Sequence, residues 1–188
     1  MSLREIIKVP NPFLKVTAKP VTVIDEDILT ILDDMMETMY HANGIGLAAT
    51  QIAIDKRLIV MDCGKIKFDT QNLSEEEYNK KISDKQIEPF PIKMINPEII
   101  SIGKNIEERE EGCLSIPGYN AKVKRPSTLK VKYIDENKED KIIDAEGLLA
   151  TCIQHEIDHL NGILFIDHLS KLKREIILKK AIKEYSKN

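Results

Sequence analysis

The sequence predicts an α+β fold in which mostly antiparallel sheets pack around a central metal-binding helix, with further helices near the N- and C-termini. Three observations carry that expectation. An amphipathic helical period runs from about Asp25 to His41, a series of short strand-like runs fills residues 92–144, and a second helical period around Leu148–Leu160 encloses two histidines four residues apart.

Taken in chain order, a proline-rich arm (Pro10, Pro12, Pro20) is expected to be extended. In the helix that follows, Ile28, Ile31, Leu32, Met35, Met36 and Met39 form the apolar face. Asn43-Gly44-Ile45-Gly46 ends it and opens a flexible turn, and Arg57–Asp62 reads as a buried strand. Residues 64–91 are rich in charge, including Ser74-Glu75-Glu76-Glu77, and read as a surface insertion holding at most one helical turn. Strands are then expected at Ile92–Ile95, Glu98–Ile102, around Cys113–Ile116, at Thr128–Ile134 and at Lys141–Asp144. Asn96-Pro97, Pro117-Gly118 and Asp135-Glu136-Asn137 separate them. A last helix from Ser170 to about Ser186 places Leu172, Ile176, Ile177 and Ala181 on one side and six basic residues on others. No repeat or second unit is visible, so residues 1–188 are read as one catalytic domain, with 170–188 its C-terminal helix.

Composition narrows the function classes. At 42% hydrophobic and 31% charged the chain is ordinary for a globular protein, which excludes wholesale disorder. A net charge of −3 gives no global reason to bind DNA, and no apolar run is long enough to span a bilayer. The N-terminus lacks the apolar core of a secretory signal, so cytoplasmic residence is the default expectation. Three widely spaced cysteines, Cys63, Cys113 and Cys152, suit reduced thiols better than a disulfide framework.

The chemistry is written in His155-Glu156-Ile157-Asp158-His159. Positions i and i+4 share a helix face, so both imidazoles can converge on one divalent ion. Glu156 is rotated about 100° from His155, beside the ion, where a carboxylate can take a proton from a water held there. Leu148, Leu149, Cys152, Ile153, Ile157 and Leu160 give the apolar frame, and Gly162 marks the stop.

Two histidines need a third partner. The position where one familiar arrangement would place another histidine is Phe165, and His41 and His168 stand in no ligand-like context. Cys152 shares the helix face, but it lies about two turns, roughly 10 Å, from His159. Cys63 follows a strand with no polar companion in sequence. Cys113 differs: Gly112 permits close backbone approach, Leu114 offers an amide beside the sulfur, and a ligand from a separate strand can complete a tetrahedron. The expected set is Cys113, His155, His159 and one open position. On residues alone three readings stand: a hydrolase, a peptidase cutting internal bonds with the same helix, and a zinc-stabilised binding module.

Three blocks in this order, Gly44-Ile45-Gly46-Leu47-Ala48-Ala49-Thr50-Gln51, Glu111-Gly112-Cys113-Leu114-Ser115 and Gln154–His159, resemble the peptide deformylase family. The resemblance implies a metal-dependent amide hydrolase that removes the N-formyl group from formylmethionyl nascent peptides and releases formate. It implies Cys113, His155 and His159 as metal ligands, Glu156 as general base and acid, and Gln51 with the Leu114 amide as the oxyanion hole. Gly44, Ile45, Gly46 and Gly112 would line the substrate groove, and Ile45, Leu148, Cys152 and His155 the methionine pocket. It also implies one divalent ion per chain, commonly Fe2+, with Zn2+, Ni2+ or Co2+ as substitutes. The basic last helix suits contact with the ribosome near the exit tunnel, although a solvated face is the simpler reading. Relative to the commonest family pattern, residues 64–91 are longer, Asn120 stands where many bacterial relatives have arginine, and Thr151 is polar where an apolar residue is frequent. Glu111, Arg125 and Asp158 are expected to brace the ligands.

Overall fold

A computed structural model describes residues 2–66 and 87–185. Helix α1 spans Glu26–His41, capped by the Asp25 side chain, which accepts a hydrogen bond from Ile28 N at 3.0 Å. Its buried face holds Ile28, Leu32, Met35, Met36 and Met39 as expected, and also Asp34. That carboxylate accepts from Ser2 N at 2.6 Å and from the Arg4 guanidinium, fixing the N-terminal arm against the helix.

Next come β1 (Gly46–Ala48), a 3-10 turn at Ala49–Ile52 and β2 (Leu58–Asp62). They are followed by β3 (Lys65–Ile66), β4 (Ile87–Glu88), β5 (Pro91–Ile102), β6 (Ile106–Gly112), β7 (Asn120–Pro126), β8 (Thr128–Ile134) and β9 (Asp140–Glu146). A five-stranded antiparallel sheet runs β1-β2-β5-β8-β9, while β3 with β4 and β6 with β7 form separate two-stranded ribbons. Alternation along β2 sends Leu58 and Val60 to the cluster under α1, and Ile59 and Met61 to the cluster under the central helix. The sheet is therefore covered on both faces.

The central helix α2 spans Gly147–Leu160 and is buried over almost its whole circumference, as an interior helix must be. It ends at Asn161, and Gly162 has φ +72° with its Cα packed so closely on Lys15 that a Cβ would meet the Lys15 carbonyl oxygen at 2.6 Å. Helix α3, Lys171–Tyr185, packs through Ala181, Ile177, Leu178 and Tyr185 on a third cluster with Val9, Leu14, Ile116, Val123 and Phe165. Among the described residues, no helix is long and apolar enough to cross a membrane.

The fold class is as expected, but several elements differ. Residues 92–102 form one strand rather than two: Asn96 takes φ +53°, the register slips between Ile95 and Glu98, and the Asn96 side chain is hydrogen-bonded to both backbone polar groups of Val21. A bulge absorbs the Asn-Pro signal that was read as a break. Cys113–Ile116 is not a strand; it is the turn between β6 and β7, two strands that were not anticipated. Gly46 does not belong to a flexible turn but starts β1, paired with Met61. On α3, Leu172 and Ile176 are exposed, because the helix docks by its C-terminal half. Of the insertion read at residues 64–91 with at most one helical turn, residues 67–86 lie outside the described residues.

Candidate metal centre

Cys113, His155 and His159 are brought together: one donor atom from each lies within 4.8 Å of the others. Cys113 Sγ is 3.2 Å from His159 Nε2. His155 Nδ1 donates to Glu111 Oε2 at 2.8 Å, which leaves its Nε2 as the donor aimed at the cluster. Bond lengths of about 2.3 Å to sulfur and about 2.0–2.1 Å to nitrogen put tetrahedral ligand atoms roughly 3.5 Å apart, so the three fit one divalent ion. A thiol and two imidazoles form a donor set for iron, zinc, nickel or cobalt rather than magnesium or calcium.

The surroundings hold these side chains in place. Phe165 stacks on the His155 ring at a centroid distance of 6.3 Å. Arg125 donates to both oxygens of Glu111, at 2.6 and 3.0 Å, and to Asp158 at 2.8 Å, and Asp158 in turn is 2.7 Å from His168 Nε2. The expected bracing by Glu111, Arg125 and Asp158 is thus a single network. Thr50 Oγ1 donates to the His159 carbonyl, a support with no sequence signal.

Electrostatics separates the carboxylates. Burial raises the Glu111 carboxyl, but the His155 and Arg125 hydrogen bonds outweigh it and bring it down to about 2. Glu156 has no such partners: burial pushes it up to about 7, and its Oε2 is among the buried side-chain atoms without a hydrogen bond. Burial also pulls the His159 imidazole well down, with His155 adding to the effect, which favours the neutral form that a ligand requires. For His155 burial acts in the same direction, but hydrogen bonds to Cys113 and Glu111 raise it instead.

A cavity of about 400 Å³ opens over the cluster. Gly44, Ile45, Gly46, Gly112, Leu114, Leu148, Cys152, His155 and Glu156 all line it, as do Asn120 and Thr151. Ile45 and Leu148 are 46% exposed apolar walls, and Gly46 lies flush against Glu156. Gln51 is not on the lining. It is fully buried in the 3-10 turn, with Oε1 accepting from Ala48 N and Nε2 donating to Ser115 Oγ at 3.2 Å and toward Cys113 Sγ at 3.5 Å. Cys152 is outside the Cys113–His155–His159 cluster, while Cys63 packs against the buried cluster that contains Cys152. No sequence signal links residues so far apart.

Hydrolysis assisted by a cation is the chemistry that calls for a dry, unpaired carboxylate at the mouth of a three-donor cluster open on one side. The fold and site thus define a metal-dependent hydrolase. The polypeptide deformylase profile matches residues 3–175. A peptide deformylase of Methylocella silvestris is 47% identical over 180 residues, covering 96% of this chain and 84% of that protein. The crystal structure of peptide deformylase from Ehrlichia chaffeensis superposes with a TM-score of 0.84 at 38% identity, covering 99% of this chain and 98% of the other. The Ehrlichia enzyme in complex with actinonin gives 0.83 at the same identity, covering 98% of each chain. The chain belongs to the polypeptide deformylase family. It is an enzyme that removes the N-formyl group from nascent peptides.

Proposed function

We infer that deformylation is performed at this cluster, with Cys113, His155 and His159 holding the metal and Glu156 moving the protons. When bound, the ion polarises the formyl oxygen and acidifies a water. Fe2+ is the native ion in this reading, with Zn2+, Ni2+ or Co2+ able to replace it. The observation that carries the reading is Glu156 Oε2, buried without a partner beside the cluster and on the cavity wall. A carboxylate so placed accepts the proton of the attacking water and returns it to the departing amine. Its affinity for a proton is raised by burial and lowered again by a neighbouring cation, so it can serve in both directions.

The Leu114 N–H and Gln51 Nε2 are the donors for the negative charge that develops on the formyl oxygen, each such donor typically contributing about 3 kcal/mol. Gln51 Nε2 is already held close to Cys113 by Ser115, so it reorganises little. The substrate backbone runs along β1, an edge strand, and past Gly44, Gly46 and Gly112, where absent side chains leave room. The methionine side chain enters between Ile45, Leu148, Cys152 and His155.

Formylated nascent chains are the substrates, and the cytoplasm, where free thiols persist, is the compartment this reading assigns. The exposed Lys171, Lys173, Arg174, Lys179, Lys180 and Lys183 of α3 offer the surface for ribosomal RNA. A salt-sensitive ribosome pull-down unaffected by reversing those charges removes that contact.

The deciding experiment offers formyl-Met-Ala-Ser and a longer unformylated peptide to the metal-loaded protein. Formate is released from the first, and the second stays intact. Glu156→Gln abolishes turnover while retaining metal; turnover that survives the substitution removes Glu156 from the mechanism.

A further inference from the structure

Two thiols meet beside the metal cluster without belonging to it. Cys63 directly follows β2, and Cys152 stands one turn before His155 on α2. Each thiol stands close enough to shift the titration of the other, and Cys63 packs on the same buried cluster that contains Cys152. Both are free. Cys152 is almost fully buried, lines the cavity, and has its sulfur 3.6 Å from the Ile45 carbonyl oxygen. Cys63 keeps partial exposure and is off the cavity lining.

We propose that Cys63 and Cys152 are an oxidation-sensitive dithiol that closes to a disulfide and deforms the adjoining wall of the substrate cavity. Thiols from two different elements packed into one buried cluster supply the proximity from which a bridge can form. The pair is also asymmetric. The neighbouring Cys152 thiol lowers the Cys63 pKa, whereas Cys63 and burial push the Cys152 thiol well up. Cys63 is therefore the thiol that ionises first and meets solvent, and Cys152 is the resolving partner.

A low-molecular-weight disulfide of the oxidised-glutathione kind is the oxidant. Cys63 thiolate attacks one of its sulfurs, its S–S bond breaks, and one glutathione thiolate leaves. Cys152 sulfur then attacks the Cys63 sulfur and expels the second glutathione. The two protein thiols lose two protons and two electrons; the reagent gains both and departs as two thiols.

The bridge reaches the cavity through the backbone. Asp62, next to Cys63, donates its N–H to Ile45 O at 2.9 Å, and Met61 is registered with Gly46. Drawing Cys63 onto Cys152 therefore shifts the strand end that backs Ile45 and Gly46. Because a misplacement of about 1 Å can cost about 100-fold, a fraction of that shift lowers kcat/KM by about tenfold.

The test treats the full-length nickel-loaded enzyme with oxidised glutathione, alkylates it and digests it with trypsin. The three cysteines fall in different tryptic peptides, 58–65, 110–122 and 142–171. The expected product joins 58–65 to 142–171 and leaves Cys113 unlinked; kcat/KM falls and dithiothreitol restores it. Cys63→Ser keeps the activity of the untreated enzyme and loses the response. A stable glutathione adduct on Cys63 without the cross-link overturns the proposal, as does a cross-link that leaves kcat/KM unchanged. Equal inhibition of the Cys63→Ser enzyme also overturns it, since the oxidant then acts elsewhere. The cross-link is read by mass, so its failure is distinct from any failure of deformylation.

Discussion

Gly46→Ala tests whether the position of the Glu156 carboxylate limits the rate. A methyl group built on Gly46 lies 2.4 Å from Glu156 Oε1, 2.9 Å from its Cδ and 2.8 Å from Cys152 Sγ, against an ordinary contact of 3.4 Å or more. The carboxylate must therefore recede by about 1 Å. Strand β1 cannot retreat instead, because Gly46 and Leu47 are registered with Met61 and Val60 on β2, which is itself paired with β5. A shift of that size is expected to lower kcat by about 10- to 100-fold, equivalent to about 1.4–2.7 kcal/mol of barrier. Overpacking costs about 1–3 kcal/mol of stability as well, so thermal unfolding should move down by several degrees without loss of the fold. Formate release from formyl-Met-Ala-Ser gives kcat and KM, and elemental analysis gives metal per chain. Full metal with a kcat within about twofold of wild type would refute the argument, because the carboxylate would then tolerate displacement. Loss of metal in parallel with rate would show instead that the strain passes to His155 and His159.

The remaining expectations are shorter. Cys113→Ser should abolish stable metal retention, whereas Cys152→Ser should leave stoichiometry near wild type, since only the first sulfur lies in the cluster; elemental analysis after dialysis reads both. Arg125→Met removes the partner of two carboxylates that are mostly buried, at side-chain exposures of 4% and 17%, and should cost about 3–5 kcal/mol in a urea titration. An unchanged midpoint would mean that solvent replaces the guanidinium. Asp34→Asn tests the anchor of the N-terminal arm. The Ser2 N–H and the Arg4 guanidinium hold the Asp34 carboxyl below the usual range despite burial, so its contribution is fully present above the unfolded pKa and is lost as pH falls through the folded one. The variant should be less stable by about 1.5–3 kcal/mol near neutral pH and converge with wild type only as pH falls below the ordinary carboxylate range; a difference that stays constant through that fall contradicts the assignment.

How much of this was legible in the sequence depended on whether an element's signal was local. Helix α2 carries its own apolar period and its histidine pair within one stretch, so both were readable, and the alternation of Leu129 and Val131 with Lys130 and Lys132 made β8 readable too. Ribbon β6–β7 was not, because Ile106–Gly112 has almost no apolar residues to alternate. Its pairing becomes intelligible only across the strands, where Glu107 faces Arg125, Glu108 faces Lys124 and Glu110 faces Lys122. Charge complementarity between partners cannot be seen in either strand alone. Strand β1 is three residues long and exists through its pairing with β2. In the site, Cys113 was separable from Cys152 by helix geometry and Gly112. The contact of Cys63 with Cys152, and of Thr50 with His159, depends on long-range packing that has no local trace.

That ribbon also explains why the centre and the fold stand or fall together. Glu111 is near the end of β6 and Cys113 just beyond it in the turn, while His155 and His159 are one turn apart on α2; Glu111 reaches the first histidine and Cys113 the second. A slip of one residue in the β6–β7 register would turn Glu111 to the opposite face and shift the turn that carries Cys113, so the cluster depends on how firmly the ribbon is held. Arg125 on β7 supplies that hold by bonding Glu111 on β6 and Asp158 on α2 together. The fold is thus pinned by a charge network whose inner end is a hydrogen bond to a proposed metal ligand, and any substitution that loosens Arg125 should appear first as weaker metal retention and only then as unfolding.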